Sequence, residues 1–203
     1  MATTWSTTDK DSSLVLSGGN LIVSASGSTG NAGIRATSSK SSGKYYLEFN
    51  NISFGNNNGM LGFAHAAQAL NTLSMDSQGT FCINPAGTAF GNVGSFSMGS
   101  NIVPNVLGFA IDLTNGLMWA RYNTGNWNDS GTADPVSGTG GVDIVVNGSN
   151  GAVFPFAAFQ GDNSPTPTAT LNLTGGFTGS QPSGFLLWDE LPPFPYSQMR
   201  VIS

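Results

Sequence analysis

The sequence predicts an all-β domain of many short strands, a sandwich or a barrel. Three observations predict it. Short apolar runs recur along the whole chain, and several alternate with a period of two. Clusters of Gly, Asn, Ser and Pro separate them, as turns between strands do. No stretch of more than about ten residues carries sustained helical periodicity. The nearest is residues 60–73, where Ala64, Ala66, Ala67, Ala69 and Leu70 suit one or two helical turns.

The runs follow in order. Residues 14–16 and 21–23 flank Ser17-Gly18-Gly19-Asn20, a hairpin with Gly and Asn where positive φ is needed. Residues 45–49 alternate, with Tyr45, Leu47 and Phe49 on one face and Tyr46 and Glu48 on the other. Residues 60–64 read as a short buried strand. Phe81-Cys82-Ile83 and Ala89-Phe90 flank the turn Asn84-Pro85-Ala86-Gly87, and Cys82 between two apolar neighbours reads as buried. Residues 106–113 are apolar but for Gly108 and Asp112, a central strand covered on both faces. Asn115-Gly116 then turns the chain into residues 117–122, the strongest short hairpin signal in the sequence. Residues 153–159 form a further strand. Residues 168–173 alternate with Ala169, Leu171 and Leu173 inward, and residues 185–188 close the core. Residues 123–141 read as a polar loop carrying Trp127. Residues 1–190 make one domain. Residues 191–203 begin Leu-Pro-Pro-Phe-Pro-Tyr, and prolines at Pro192, Pro193 and Pro195 remove ladder donors, so this segment reads as an extended arm.

Composition narrows the function. Charged residues make up 8% of the 203, against about 25% in an average domain. Hydrophobic residues reach 39%, with 13 Phe and 4 Trp, enough for a core and too many for a disordered tract. The net charge is -5, and six scattered cations cannot neutralise a phosphate backbone, so no nucleic-acid partner is expected. No run approaches the about 18 apolar residues of a membrane-spanning helix, and the N-terminus lacks the pattern of a secretory signal. One cysteine, Cys82, allows no intrachain disulfide and no cysteine-based zinc site.

Several motifs then resemble, in order, a SPRY (B30.2-type) domain. Arg35-Ala36-Thr37 followed by Ser41-Ser42-Gly43-Lys44-Tyr45-Tyr46-Leu47-Glu48-Phe49 is similar to its opening strands. Met60-Leu61-Gly62-Phe63-Ala64 resembles the next core strand, and Val106-Leu107-Gly108-Phe109-Ala110-Ile111-Asp112-Leu113-Thr114-Asn115-Gly116 its most telling hairpin. Val153-Phe154-Pro155-Phe156-Ala157, Ala169-Thr170-Leu171-Asn172-Leu173 and Pro182-Ser183-Gly184-Phe185 resemble the closing elements. Two places depart from the family pattern: Leu173-Thr174-Gly175 where Phe-Gly is usual, and Leu117-Met118-Trp119-Ala120-Arg121-Tyr122 after the hairpin turn. The likeness runs from about Trp5 to Trp188. It implies a bent sandwich of two antiparallel sheets and a non-catalytic recognition module that binds through loops at one end.

On that resemblance three loops form the binding face, residues 26–31, 70–77 and 159–163, joined by the loop at Asn126 and Trp127. The residues expected to touch a ligand are Ser28, Thr29, Asn31, Leu73, Asn126, Trp127, Phe159 and Gln160. Pro192, Pro193, Phe194 and Tyr196 form an arm able to dock on a partner. The segment Asn126-Trp127-Asn128-Asp129-Ser130-Gly131, with Pro135 and Gly138-Thr139-Gly140 after it, is most similar to SPRY modules of tailed-phage and prophage proteins. This implies a virion accessory protein on a tail or capsid surface, assembled in the host cytoplasm. Its partner would be a virion protein, a host-surface receptor or a glycan, and a homo-oligomer within a particle is a further reading. The alternatives are a cytoplasmic protein–peptide adaptor and a glycan-active enzyme.

Catalytic constellations are sparse, and neither cofactor nor metal is expected. His65 is the only histidine, follows a core strand, and has no G-x-S-x-G partner, so a role at the sheet end is expected of it. Glu48 is the best single carboxylate candidate for glycosidase chemistry, which needs two facing carboxyls. The structural alternative is that it caps backbone donors or pairs with a cation. Asp112 before the Asn-Gly turn is expected to shape that turn. Asn128, Asp129 and Asp134 offer some oxygens for calcium, without EF-hand spacing. Trp127 either folds back on the domain, the preferred reading, or stands out as an anchor.

Overall fold

A computed structural model describes residues 2–25, 29–55, 58–73, 80–91, 97–98, 106–144, 151–161 and 165–191. The predicted strands are all there, in two antiparallel sheets. Their order along the chain is β1 (Trp5–Lys10), β2 (Leu14–Ser17), β3 (Ile22–Ala25), β4 (Thr29–Ala36), β5 (Lys44–Ser53), β6 (Gly59–His65), β7 (Phe81–Ile83), β8 (Ala89–Gly91), β9 (Leu107–Asp112), β10 (Leu117–Tyr122), β11 (Val142–Asp143), β12 (Val153–Gly161), β13 (Thr168–Asn172) and β14 (Leu186–Leu187). One single-turn 3-10 helix spans Trp127–Asp129. The helical turns that residues 60–73 suited are absent: residues 59–65 are strand β6, and bends follow. The β-branched and aromatic neighbours that β6 meets outweigh a short alanine run.

The first sheet runs β1-β4-β12-β6-β7-β8. The second runs β11-β10-β9-β5-β13-β3-β2, and β14 adds to β5 in parallel. The core lies between them. The alternation read from residues 45–49 holds: Tyr45, Leu47 and Phe49 join the main core, while Tyr46 and Glu48 face the outer side. Phe63 packs edge-on to Phe109 at 5.5 Å and lies 5.6 Å from Trp188, so rings from both sheets interlock. Residues 185–188 are less regular than predicted. Only Leu186 and Leu187 pair with β5, while Phe185 and Trp188 are buried on opposite sides.

Pro155 stands inside the six-stranded sheet. It pairs with Phe63 of β6, but contact with β4 begins only at Phe156, so no ladder bond is lost to the missing N–H. Gly62 explains the apolar-Gly-apolar pattern of its strand: a Cβ there would lie 2.3 Å from the Phe81 carbonyl oxygen.

Both outer faces are covered. The segment after β6 crosses the first sheet, tied by the Gly33 N–H to the Leu70 carbonyl at 2.6 Å and by Arg35 to the carbonyls of Gln68 and His65. Asp9 in turn holds Arg35 through two bonds of 2.7 and 2.9 Å. Leu70 and Leu73 pack there on Met60, Ala64, Cys82, Phe156 and Ala158. The second sheet is covered by residues 123–141 and 174–185, with Trp127, Ala133 and Phe177 against Tyr46, Ala110, Trp119 and Phe185.

The two ends of the domain meet. The Asp189 carboxylate accepts from the Thr3 N–H at 2.7 Å and from the Thr3 hydroxyl, which also contacts Ser38; Trp188 donates its indole N–H to Ser38 at 3.1 Å. This clasp lies beside Val153, Lys40 and the start of β5. The opposite pole holds the start of β4 and the end of β12.

Candidate binding surface

The corner at that opposite pole begins with a backbone irregularity. Phe159 pairs with Ala32 and Gly161 with Thr29, so Gly30 and Asn31 together oppose the single residue Gln160. This is a β-bulge, a device that redirects side chains and often flanks sites. The Gln160 N–H donates to the Asn58 carbonyl at 3.1 Å, which brings the turn before β6 to the same place. Ala32, Ile34 and Ala36 point into the core, so Asn31 faces the outer side, where Leu73 lies half-buried. The Asn31 Oδ1 is buried and accepts no hydrogen bond from the described residues. A buried acceptor without a donor costs about 1–3 kcal/mol, and such exceptions in a well-paired fold call for an explanation. No charged side chain belongs to residues 29–31, 58–60, 70–73 or 158–161.

Three expected contact residues therefore meet at the bulge, Thr29, Asn31 and Gln160, and Leu73 packs on the same outer face. Their setting differs from the prediction, since Thr29, Asn31 and Gln160 are strand residues at a bulge and not loop residues. Phe159 is a correction. It is fully buried, in the main core and tilted against Phe54 at 6.3 Å, because the strand alternation that turns Gln160 outward turns Phe159 inward. Asn126 and Trp127 do not join the corner; they lie over the second sheet. Ser28 and the arm residues Pro192, Pro193, Phe194 and Tyr196 fall outside the described residues. Sequence reasoning did not single out Asn58 and Met60. An Asn-Gly pair at residues 58–59 could have pointed to a turn there, but its pairing with Gln160 needs the register.

Trp127 folds back. Its ring takes the Arg121 guanidinium at 4.1 Å and meets Tyr46 edge-on at 6.2 Å. Asn128 locks the turn in place: its Oδ1 accepts the Ala120 N–H and its Nδ2 donates to the Gly140 carbonyl, both at 2.8 Å. With one ring face on Arg121 and Phe159 in the core, the two aromatics expected as contact anchors are not open stacking platforms.

Glu48 sits beneath this cover and is fully buried. Register explains its company. Glu48, Gly108 and Arg121 form one row across β5, β9 and β10. Gly108 leaves a gap that the Tyr46 hydroxyl fills; a Cβ there would lie 2.8 Å from that oxygen. Burial pushes the Tyr46 hydroxyl far up from its ordinary pKa, so it stays protonated and donates to Glu48 at 2.7 Å. The carboxylate also accepts the backbone N–H groups of Thr178 at 2.9 Å and Gly179 at 2.7 Å. Arg121 donates to the Ser180 carbonyl at 2.5 Å. Glu48 thus caps backbone donors and organises the covering segment, the structural alternative given above.

The other candidates resolve in the same way. Asp112 accepts the N–H groups of Thr114 and Asn115 and the Asn115 side-chain amide, and pairs with Lys44 at 3.1 Å. Asp134 accepts from the N–H groups of Val136 and Ser137, which hold its carboxyl below the usual value. No group of three or more metal-ligating side chains occurs among the described residues. His65 ends β6, and its Nδ1 accepts the Ala67 N–H at 3.3 Å. Cys82 is buried, and that burial pushes its thiol up, the state of an inert core cysteine.

Neither protein-family models nor the curated proteins give a match to the sequence. Solved structures do. The SPRY domain of human HERC1 aligns with a TM-score of 0.63 over 83% of this chain and 96% of that one, at 12% identity. The PSpry domain of TRIM65 aligns with a TM-score of 0.56 over 84% of this chain and 92% of that one, at 14% identity. Identities so low carry the fold and no more. With two antiparallel sheets in this order and this likeness, the chain has the SPRY fold.

Proposed function

We propose that this chain is a protein-interaction module that binds without catalysis, through the uncharged corner around the β4 bulge. The meeting of Thr29, Asn31 and Gln160 there, with Leu73 on the same outer face, carries the reading, and the Asn31 Oδ1 is buried without a donor among the described residues. SPRY domains as a group mediate protein–protein contacts, which agrees with it. A neutral surface of amides and half-buried leucines suits a polypeptide, whose backbone supplies both donors and acceptors. It offers no acid–base pair, and the two buried carboxylates on the opposite sheet, Glu48 and Asp112, are engaged in hydrogen bonds.

The test is cross-linked capture from host lysate, with a glycan array beside it. The double variant Leu73→Ser with Gln160→Ala should lose capture of a single defined protein, while Trp127→Ala keeps it. Capture lost only in Trp127→Ala, or specific glycan binding, would overturn the corner as the contact surface. Location is part of the proposal. The resemblance of residues 126–140 to phage modules would place the chain on a virion surface, and the SPRY fold is equally consistent with a cytoplasmic adaptor. A virion component should fail to enter particles when residues 190–203 are deleted; an adaptor should bind unchanged.

A further inference from the structure

The β9–β10 turn carries a reactive pair. Asn115 is exposed and precedes Gly116, which has φ of +68°. In such pairs the backbone nitrogen of the glycine attacks the asparagine Cγ. A C–N bond forms, the Cγ–Nδ2 bond breaks, and ammonia leaves. Water then opens the cyclic imide to aspartate or isoaspartate. The reaction needs no other reagent.

In this fold the leaving group is tied down. The Asn115 Nδ2 donates to the Asp112 Oδ2 at 2.7 Å, and the Asn115 backbone N–H donates to the Oδ1 of the same carboxylate at 3.0 Å. The carboxylate is itself almost fully buried and paired with Lys44 at 3.1 Å. The turn is pinned on both sides, by the Gly43 N–H to the Thr114 hydroxyl at 2.9 Å and the Ile144 N–H to the Gly116 carbonyl at 2.8 Å. Before Gly116 can attack, the side-chain amide has to leave a charge-assisted bond, and the nearby negative charge opposes ionisation of the attacking N–H.

We propose that Asn115 is a latent deamidation and isoaspartyl site, and that Asp112 is the latch that holds it unreacted. Conversion puts a carboxylate where the amide had been a donor, against Asp112. Two carboxylates at that distance do not both ionise without penalty. They compete for Lys44 and loosen the hairpin, so the reaction releases its own latch and leaves a persistent charge change.

The experiment uses the full chain at neutral pH. Peptide mapping by mass spectrometry follows each Asn-Gly pair, and enzymatic methylation of isoaspartyl carboxyls counts that product. Asp112→Asn keeps an oxygen for the turn's backbone donors but turns an N–H toward Nδ2. It should speed conversion at Asn115 about tenfold, the factor a lost barrier of about 1.4 kcal/mol produces. Asn58, another Asn-Gly asparagine, should keep its rate. Equal rates at Asn115 in the two proteins, or equal acceleration at Asn58, would overturn the latch. Asn115→Asp gives a second reading that does not need the first variant to fold. Its paired carboxyls should titrate above the ordinary range, so relative to the unaltered chain it loses stability as pH rises above about 4, the value of unfolded carboxyls. A parallel pH profile would show that the two groups do not face each other.

Discussion

Replacing Glu48 by Gln tests the buried row that holds the cover of the second sheet. The carboxylate accepts three hydrogen bonds, from Tyr46 and Gly179 at Oε1 and from Thr178 at Oε2. Glutamine preserves the shape and keeps one oxygen. Bonds to a charged acceptor are worth about 1.5–3 kcal/mol and neutral ones about 0.5–1.5, so the two bonds at the retained oxygen weaken by about 1 kcal/mol each. The amide nitrogen of the substituted side chain then meets the Thr178 N–H, and a donor left without an acceptor costs about 1–3 kcal/mol. Arg121 loses its nearest buried carboxylate, whereas an amide is easier to bury than a charge. The balance is a loss of about 3 kcal/mol. Urea unfolding followed by tryptophan fluorescence should show a lower midpoint with an unchanged slope. In a chain of this size the melting temperature should fall by about 6–12 °C. Tyr46→Phe removes only the bridging hydroxyl and should cost about 1 kcal/mol. The reasoning fails if Glu48→Gln costs under about 1 kcal/mol, or if Tyr46→Phe costs more than Glu48→Gln. It also fails if Glu48→Gln abolishes a function while leaving stability intact, since Glu48 would then be a site residue.

Other expectations concern the core, the thiol and acid. Phe159→Ala should cost about 3–5 kcal/mol, because it empties a filled core position, and unfolding curves should show that loss in place of a selective binding defect. Cys82 should resist a thiol reagent in the native chain and react at once in denaturant; fast native labelling would contradict its burial against Phe63. Burial works to raise the Asp112 carboxyl, yet the Asn115 bonds and Lys44 outweigh it and hold the pKa below the usual carboxylate range. Its folded value being the lower one, Asp112 contributes stability above pH about 4 that is lost as pH falls through the folded value. Acid titration of unfolding should show that loss in the unaltered chain and not in Asp112→Asn.

Strand alternation made much of the fold legible. Residues 45–49 place Tyr45, Leu47 and Phe49 inward because side chains on a strand alternate, and the structure agrees. Asn115-Gly116 marked its hairpin, and Gly116 supplies the positive φ of +68° that the turn uses. Two segments of the expected binding face are built differently from the loops that the resemblance implied. The resemblance made residues 26–31 and 159–163 binding loops, but residues 29–31 lie in β4 and residues 159–161 in β12, where alternation turns Phe159 inward and Asn31 outward. A bulge is one residue of register between two segments far apart in sequence, and neither segment records it alone. Glu48 was legible as an outward carboxylate. That Gly108, Arg121 and the N–H groups of Thr178 and Gly179 would surround it was not, because those partners come from β9, β10 and the segment after β13.

By itself the sequence determined the class of fold, the run of strands, the position of its turns and the inward face of the core. These follow from local rules: period-two burial, the backbone freedom of Gly and Asn, and the donors that Pro lacks. Only the tertiary structure decided which residues share a surface. It joined Thr29, Asn31 and Gln160 at one corner with Leu73 on the same outer face, laid Trp127 on Arg121 over the other sheet, and clasped Thr3 to Asp189. Such neighbours are set by strand register and by what covers each sheet. Both arise from pairing between distant segments, where a shift of one residue exchanges the buried face for the exposed one.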